Sequence, residues 1–249
     1  MRRLAARPTL PPATESKLRE KTAEILAVPT GATRSDRARS AFKAARDTGW
    51  FAPIVSGLRG LCGEGELCMY CSSNEPSQVE HFRPLSIFPE SAFAYTNYLW
   101  ACDICNRSYK GERFPPDTET GAPILNPLDD DVWSHFFIDF QFGRLLCRVD
   151  PATGGRLPRA VSTCDVVGID RDNVQTKRQR RFQNLLRAAN RALTEVQAGT
   201  LDLAGLKLEI EQWRTEPFQA DVPDYFLNGP GRSKEPFRSV LSLAGENVP

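Results

Sequence analysis

The chain has 249 residues, of which 41% are apolar, enough for one large domain or two small ones with a hydrophobic core. Its 32 basic and 31 acidic residues leave a formal net charge of +1, so overall charge does not indicate a polyanionic partner. No stretch has the apolar length of a membrane-spanning helix or of a secretion signal. We therefore expect a cytoplasmic protein without membrane attachment.

The first quarter of the chain is predicted to be helical and basic. Residues 1–50 contain eleven Lys and Arg against five Asp and Glu. Thr14 or Ser16 can cap a helix that runs to about Leu26. Ser35 can cap a second helix that runs towards residue 46.

A third apolar stretch, residues 50–61, predicts a helix interrupted near Pro53. The glycines at 60, 63 and 65 then break the pattern shortly before Cys68. From Cys68 to Pro116 the chain is turn-rich and has few apolar runs, so we expect it to supply little core of its own. Something other than apolar burial should stabilise this central segment.

The second half of the chain predicts strands followed by helices. Residues 132–149 carry aromatic and β-branched clusters around Gly143, which is typical of two strands joined by a turn. Residues 170–199 predict a long amphipathic helix and residues 201–213 a further helix. The proline- and glycine-rich end from Pro217 is predicted to be irregular.

The long helix is strongly basic in its first part. From Asp170 to Arg191 it carries seven Lys and Arg against two Asp. Such a face can lie along nucleic-acid phosphates, although a solvated outer face is the commoner reason for a run of charges.

Four of the seven cysteines form two C-x2-C pairs separated by thirty residues. In a reducing compartment this pattern indicates metal ligation and not disulfide bonding. Two such pairs supply the four thiolates of a tetrahedral zinc site, whose binding free energy can replace a missing core. The expected ligands of this structural zinc ion are Cys68, Cys71, Cys102 and Cys105. The other three cysteines are interpreted as ordinary thiols.

Polar residues suited to catalysis lie between and just after the two cysteine pairs. The chain has only two histidines, and one of them, His81, directly follows the acidic Glu80. Asn97 comes later in the same interval, Asn106 follows the second pair, and Lys110 ends the predicted helix there. The other histidine, at position 135, follows a run of aspartates that is more typical of a capped turn, and we assign it no catalysis.

These residues resemble the motif of the HNH nuclease family over about residues 66–116. The resemblance implies a ββα-metal fold in which His81 is the general base and Asn97 fixes the loop that carries it. Glu80 and Asn106 would hold a divalent cation, and their oxygen donors favour Mg²⁺ or Mn²⁺. Glu80 stands where the family more often has Asp, and Asn106 stands where it more often has His. The choice between Mg²⁺ and Mn²⁺ therefore stays open.

A wider set of residues adds a second resemblance over roughly residues 50–180. The set comprises residues 79–84, 99–102, 105–106, Lys110, 114–115, 124–127 and 129–130. It resembles the HNH subunit of Septu-type and retron-associated anti-phage defence systems, which implies an ATPase partner. The chain has no G-x4-G-K-[ST] loop, so ATP chemistry would belong to that second protein.

The predicted whole is an α+β protein: a zinc-stapled ββα-metal HNH core at 61–116, flanked by a helical region at 1–60, a β-rich extension with a short hairpin at 117–168 and a helical region at 169–249. We expect an endonuclease that hydrolyses DNA phosphodiester bonds. Arg83, Arg107 and Lys110 are candidate phosphate contacts, and each can equally be a structural charge.

Two other functions are compatible with the same residues. One is a non-catalytic zinc ribbon that binds DNA or a protein and uses the cysteines only as a staple. The other is a stand-alone restriction or repair nuclease without an ATPase partner.

Overall fold

The computed structural model describes residues 1–2, 4–63, 65–75, 77–116, 118–215 and 220–248. Within them the predicted α+β class is confirmed: the helices are joined by two separate two-stranded antiparallel sheets. The helices are α1 Pro12–Leu26, α2 Ala32–Ala45, α3 Ala52–Leu61, α4 Pro158–Val167, α5 Asp172–Gln197, α6 Leu203–Thr215, α7 Asp221–Pro223 and α8 Phe237–Leu243. The strands are β1 Ser77–His81, β2 Tyr98–Cys102, β3 Phe136–Ile138 and β4 Leu145–Cys147.

Shorter helical segments connect these elements. Two are π-helical, Ile104–Lys110, which we call the site helix, and Asp224–Asn228. Single 3-10 turns lie at Pro89–Ser91, Tyr95–Asn97, Val132–Ser134 and Pro230–Ser233.

The first two helices form where predicted, but the predicted capping residues are wrong. α1 begins at Pro12, whose missing N–H costs nothing in a first helical turn. Thr14 therefore lies inside the helix, and its hydroxyl donates to the Trp50 carbonyl instead (3.3 Å). Ser35 likewise lies inside α2 and donates to the Ser86 carbonyl (3.2 Å). Both hydroxyls connect the N-terminal helices to later parts of the chain.

The third helix is also not interrupted as predicted. α3 begins at Ala52, so Pro53 lies in its first turn and starts the helix instead of breaking it. The buried Ile54 and Leu58 face the core on one side of this helix.

The hairpin of β3 and β4 forms around Gly143 as predicted. Gly143 has φ +70°, and a Cβ there would lie 2.5 Å from Phe182 of α5, so the turn requires glycine. The region 117–168 is not uniformly β-rich, however, because α4 follows the hairpin.

The irregular C-terminal end predicted from Pro217 is partly wrong. Pro217 itself lies outside the described residues, but α7 and α8 beyond it are helical. Buried apolar residues of α8 pack the end of the chain into the core. The glycine- and proline-rich composition of this segment gives no indication of that tertiary packing.

A single apolar cluster draws on every part of the chain from Met1 to Ala244. All five residues of β2 are buried in it. The central segment therefore contributes to the core, contrary to the expectation drawn from its composition. Among the described residues, every helix is too short or too polar to span a bilayer.

Two of the basic residues of α5 bond to groups inside the molecule. Arg178 is fully buried, and its Nε lies 2.5 Å from Oδ2 of Asp221. The Met1 amino group lies 3.2 Å from the same oxygen. Arg181 donates to the Ser72 carbonyl (2.7 Å) and also faces Asp221. These cations bind the protein's own carboxylate and carbonyls, so they are not free to bind phosphates.

Candidate metal centre and active site

A short hairpin and the site helix carry both groups of predicted functional residues. β1 and β2 are antiparallel, with Ser77 opposite Cys102 at one end and His81 opposite Tyr98 at the other. Five residues separate the ends by about 13 Å. The site helix starts two residues after β2 and returns to place Lys110 beside β1. The cysteines thus lie at one end of the hairpin and the polar residues at the other.

The four predicted cysteines come together as one buried cluster. Their sulfur atoms all lie within 4.8 Å of one another, and no other group of three or more Cys, His, Asp or Glu ligands among the described residues is as close. Sγ of Cys71 lies 3.8 Å from Sγ of Cys102. Tetrahedral zinc with Zn–S bonds of about 2.3 Å requires sulfur separations of about 3.8 Å. The donor set and its spacing therefore fit a metal ion such as zinc.

Backbone hydrogen bonds shape the first cysteine pair. The Cys68 N–H donates to the Ser73 carbonyl (2.9 Å), and the Ser72 N–H donates to the Cys68 carbonyl (2.8 Å). The Met69 N–H donates to the Trp100 carbonyl of β2 (2.9 Å). This last bond fixes the first pair against the strand that leads into the second pair.

Arg171 brings a positive charge to the cysteine cluster. Its Nη1 donates to Sγ of Cys105 (3.3 Å), and its guanidinium also stacks over the Tyr109 ring. Hydrogen bonds from the other three cysteines lower the pKa of Cys71, and Arg171 adds to this. Four thiolates around a divalent ion carry a net charge of −2, which a nearby guanidinium partly offsets.

At the opposite end of the hairpin, Glu80 and Lys110 form a buried ion pair. Lys110 Nζ lies 2.7 Å from Glu80 Oε1, with 1% and 4% of the two side chains exposed. The ammonium also donates to the His81 carbonyl (3.0 Å). Burial raises the pKa of Glu80, while Lys110 acts in the opposite direction. Lys110 was expected to contact phosphate, but its charge faces Glu80 inside the protein.

His81 is half-buried among aromatic rings. The ring centroids of Phe42 and Tyr98 lie 4.3 Å and 5.2 Å from its own. Its Nε2 lies 3.0 Å from the Ala92 carbonyl oxygen. Because a carbonyl can only accept, Nε2 carries the proton and the lone pair of the neutral ring lies on Nδ1. Desolvation lowers the pKa of His81 to about 4, so the imidazole is neutral near pH 7.

Glu80, His81 and Asn106 line one open cleft with a cavity volume of about 360 Å³. The Asn106 side chain is half-buried and forms no hydrogen bond with another described residue. A buried carboxylate, a half-buried imidazole and an unpaired amide therefore border the same open cleft.

Asn97 fixes the loop between the two strands. Its Oδ1 accepts from the Arg83 N–H (2.7 Å), and its Nδ2 donates to the carbonyls of Arg83 (3.1 Å) and Ser91 (3.3 Å). The loop that it fixes begins directly after His81 and includes Ala92, the hydrogen-bond partner of that histidine. Asn97 itself is 5% exposed and does not line the cleft.

The two predicted arginine contacts lie in different places. Arg107 is exposed at the edge of the cleft, with its Nε 3.0 Å from Asp103 Oδ1. Arg83 is exposed over the Phe88 ring and lines a neighbouring hollow of about 580 Å³. The structure thus brings Arg107, and not Arg83, to the cleft of His81.

The sequence interpretation missed one wall of the cleft. α2 lies beside His81, and three basic residues line the same cavity: Arg39 and Lys43 of α2, and Arg46 directly after it. Two features of the sequence point to this basic wall: the excess of basic residues in the first fifty positions, and the i, i+4, i+7 spacing of these three residues. Nothing in the sequence indicated which later segment this helix packs against.

Known proteins similar to this chain match it only in part. No protein-family model matches it. It is 31% identical over 103 residues to Septu protein PtuB of Bacillus mycoides (strain KBAB4), covering 31% of this chain and 34% of that protein. It is 30% identical over 74 residues to Protein ea31 of Escherichia phage lambda, covering 29% of this chain and 25% of that protein. The chain thus spans about a third or less of the length of these curated relatives.

Proposed function

We propose that the protein is a metal-dependent endonuclease of the HNH type that hydrolyses DNA phosphodiester bonds. The observation that carries this proposal is the shared cleft of Glu80, His81 and Asn106 beside the β1–β2 hairpin and the site helix. The order of two antiparallel strands and a helix, stapled by four cysteines, supports a ββα-metal core. A zinc ribbon that only binds would need no such polar cleft.

His81 is the general base in this proposal. Its Nε2–H is held by the Ala92 carbonyl, which orients the ring and leaves Nδ1 to take a proton from the attacking water. Asn97 acts as a positioning residue because it holds the loop that contains Ala92. Neutral imidazole at pH 7 is the form that this role requires.

Glu80 and Asn106 are the proposed holders of the catalytic cation. A carboxylate and an amide oxygen suit Mg²⁺ or Mn²⁺, and Glu80 would hold the cation while sharing its charge with the Lys110 ammonium, 2.7 Å from its Oε1. A bound divalent ion supplies stabilisation of negative charge on the scissile phosphate and the departing oxygen. Lys110 offsets part of the cost of burying the Glu80 carboxylate, while burial still raises the pKa of Glu80 above its usual value.

We further propose a role in anti-phage defence beside an ATPase partner. The partial similarity to Septu protein PtuB supports this role. Coexpression with the genes that neighbour its own, followed by purification, tests it: a copurifying ATPase that raises DNA cleavage is the expected result. Vigorous cleavage by the isolated chain, with no partner retained, would instead favour a stand-alone nuclease.

The nuclease proposal is tested by incubating purified protein with DNA in the presence of Mg²⁺ or Mn²⁺. Wild type, with its partner if one is found, should cut, whereas His81→Ala should not, since water is no longer activated. Zinc content and circular dichroism should be the same for both proteins. Equal cutting by His81→Ala would refute the mechanism, and no cutting by wild type under any of these conditions would favour the non-catalytic zinc ribbon.

A further inference from the structure

Three basic residues, two in α2 and one directly after it, form one continuous face. At about 100° per residue, Arg39, Lys43 and Arg46 fall within about 60° of one another around the helix. We call these three residues the α2 basic face. All three are exposed. Along the helix axis they span about 10 Å, which equals the axial rise of about three base pairs of duplex DNA.

The α2 basic face is fixed relative to the proposed active site. Phe42 lies between its members in sequence, is buried, and contacts the His81 ring at 4.3 Å between centroids. The same helix therefore packs on the general base and presents its cations to the cavity that contains it.

The cations of this face remain available to a ligand. Lys43 forms no ion pair with any described residue. Among the described carboxylates, Arg46 pairs with that of the exposed Asp47 alone, 3.7 Å away. Arg39 lies 3.3 Å from the exposed Glu112 and 3.6 Å from the exposed Asp36, ion pairs that solvent screens. Since Lys110 and Glu80 neutralise each other, the cleft lining keeps four basic residues and one acidic residue, Glu112.

We propose that the α2 basic face binds the DNA phosphates that flank the scissile phosphate, an inference that rests on the proposed nuclease function. Charge complementarity selects a polyanionic strand, because three adjacent cations line a solvent-filled cleft beside the catalytic groups. The basic helix α5, in contrast, directs Arg178 and Arg181 into the protein. The N-terminal region is therefore part of the substrate site.

Two charge reversals on the same helix test the proposal. Lys43→Glu changes the charge of the face. Arg37→Glu changes an exposed residue of α2 that does not line the cleft and lies about 150° around the helix from the centre of the face. Binding of fluorescein-labelled duplex DNA is measured by anisotropy in a salt series without added divalent cation. Lys43→Glu should weaken binding at least about fivefold at 0.15 M salt and lower the salt slope by about one. Arg37→Glu should stay within about twofold of wild type.

Further measurements separate a binding defect from misfolding and from failure of the proposed function. Both variants should keep wild-type zinc content and circular dichroism, and Lys43→Arg should bind like wild type. If wild type cuts DNA while Lys43→Glu binds as tightly as wild type, or no more weakly than Arg37→Glu, the inference is wrong and the nuclease function stands. If wild type neither binds nor cuts DNA, both fail.

Discussion

Lys110 carries its ammonium into a position that almost no water reaches. Its partner Glu80 is equally buried. The attraction to its partner offsets much of the desolvation free energy of a buried charge. A buried charge that loses its partner retains the full desolvation penalty. The pair therefore couples the stability of the fold to the carboxylate proposed as a metal ligand.

Replacing Lys110 by Met should lower the free energy of unfolding by about 3–5 kcal/mol, because Glu80 keeps its burial without a counter-charge. Adding Glu80→Gln should recover a large part of the loss. Urea unfolding followed by tryptophan fluorescence measures both effects. Lys17→Met, at an exposed ion pair with Glu20, is the matched control and should change stability by less than about 1 kcal/mol. Equal losses of unfolding free energy in Lys17→Met and Lys110→Met would contradict the argument that burial makes the Lys110 ion pair important for stability.

Asn106→Ala should impair cleavage differently from His81→Ala. Loss of the amide oxygen would weaken the ligand set proposed for the catalytic cation, so a high Mn²⁺ concentration should restore part of the activity. No Mn²⁺ concentration should restore His81→Ala, because the missing function there is proton transfer. Cleavage rates across a Mn²⁺ titration measure the difference. Rescue of both variants alike would show that the two residues share one role.

At the scale of secondary structure, the β1–β2 hairpin with its two cysteine pairs is the element that positions the site residues. The C-x2-C spacing alone predicted which four thiols meet, because it is a local feature of the chain. Helix ends were predicted less well, since Thr14 and Ser35 use their hydroxyls in contacts with Trp50 and Ser86 that are remote in sequence. The contact of Phe42 with His81 spans about forty positions and was not predictable from periodicity.

Cys102→Ser should lose most of its zinc and loosen the hairpin, since one of four ligands is removed and metal binding is coupled to folding. Elemental analysis and hydrogen exchange over residues 68–105 measure these effects. Cys62→Ser is the control, because Cys62 is also buried but lies outside the cluster, and its thiol donates to the Leu58 carbonyl. Retention of zinc by Cys102→Ser, or its loss from Cys62→Ser, would contradict the ligand assignment.

On the scale of the whole molecule, Asp221 joins segments that are far apart in sequence. Its carboxylate faces Arg178 and Arg181 of α5 and the Met1 amino group. Burial alone raises the pKa of Asp221, but these three cations outweigh it and lower the pKa from 3.8 to about 2. The ionised form is thus favoured by folding.

Asp221→Asn should destabilise the protein at neutral pH, because the buried Arg178 loses its counter-charge. Ionisation of Asp221 contributes on the order of 2 kcal/mol, fully present above the unfolded pKa. The stability gap between wild type and variant should therefore narrow as pH falls through the unfolded pKa of 3.8 towards about 2. Guanidinium unfolding at a series of pH values measures the gap. A gap that does not change in acid would exclude this carboxylate as its source.

The packing of Phe42 on His81 has a consequence for protein engineering. A fragment cut out at residues 61–116, the proposed nuclease core, would leave behind the aromatic wall of its own histidine, and also the Arg171 guanidinium that reaches the cysteine cluster. Such an excised module could not be grafted onto another scaffold with its imidazole equally shielded from water. Any minimal portable version must carry α2 and the start of α5 with it.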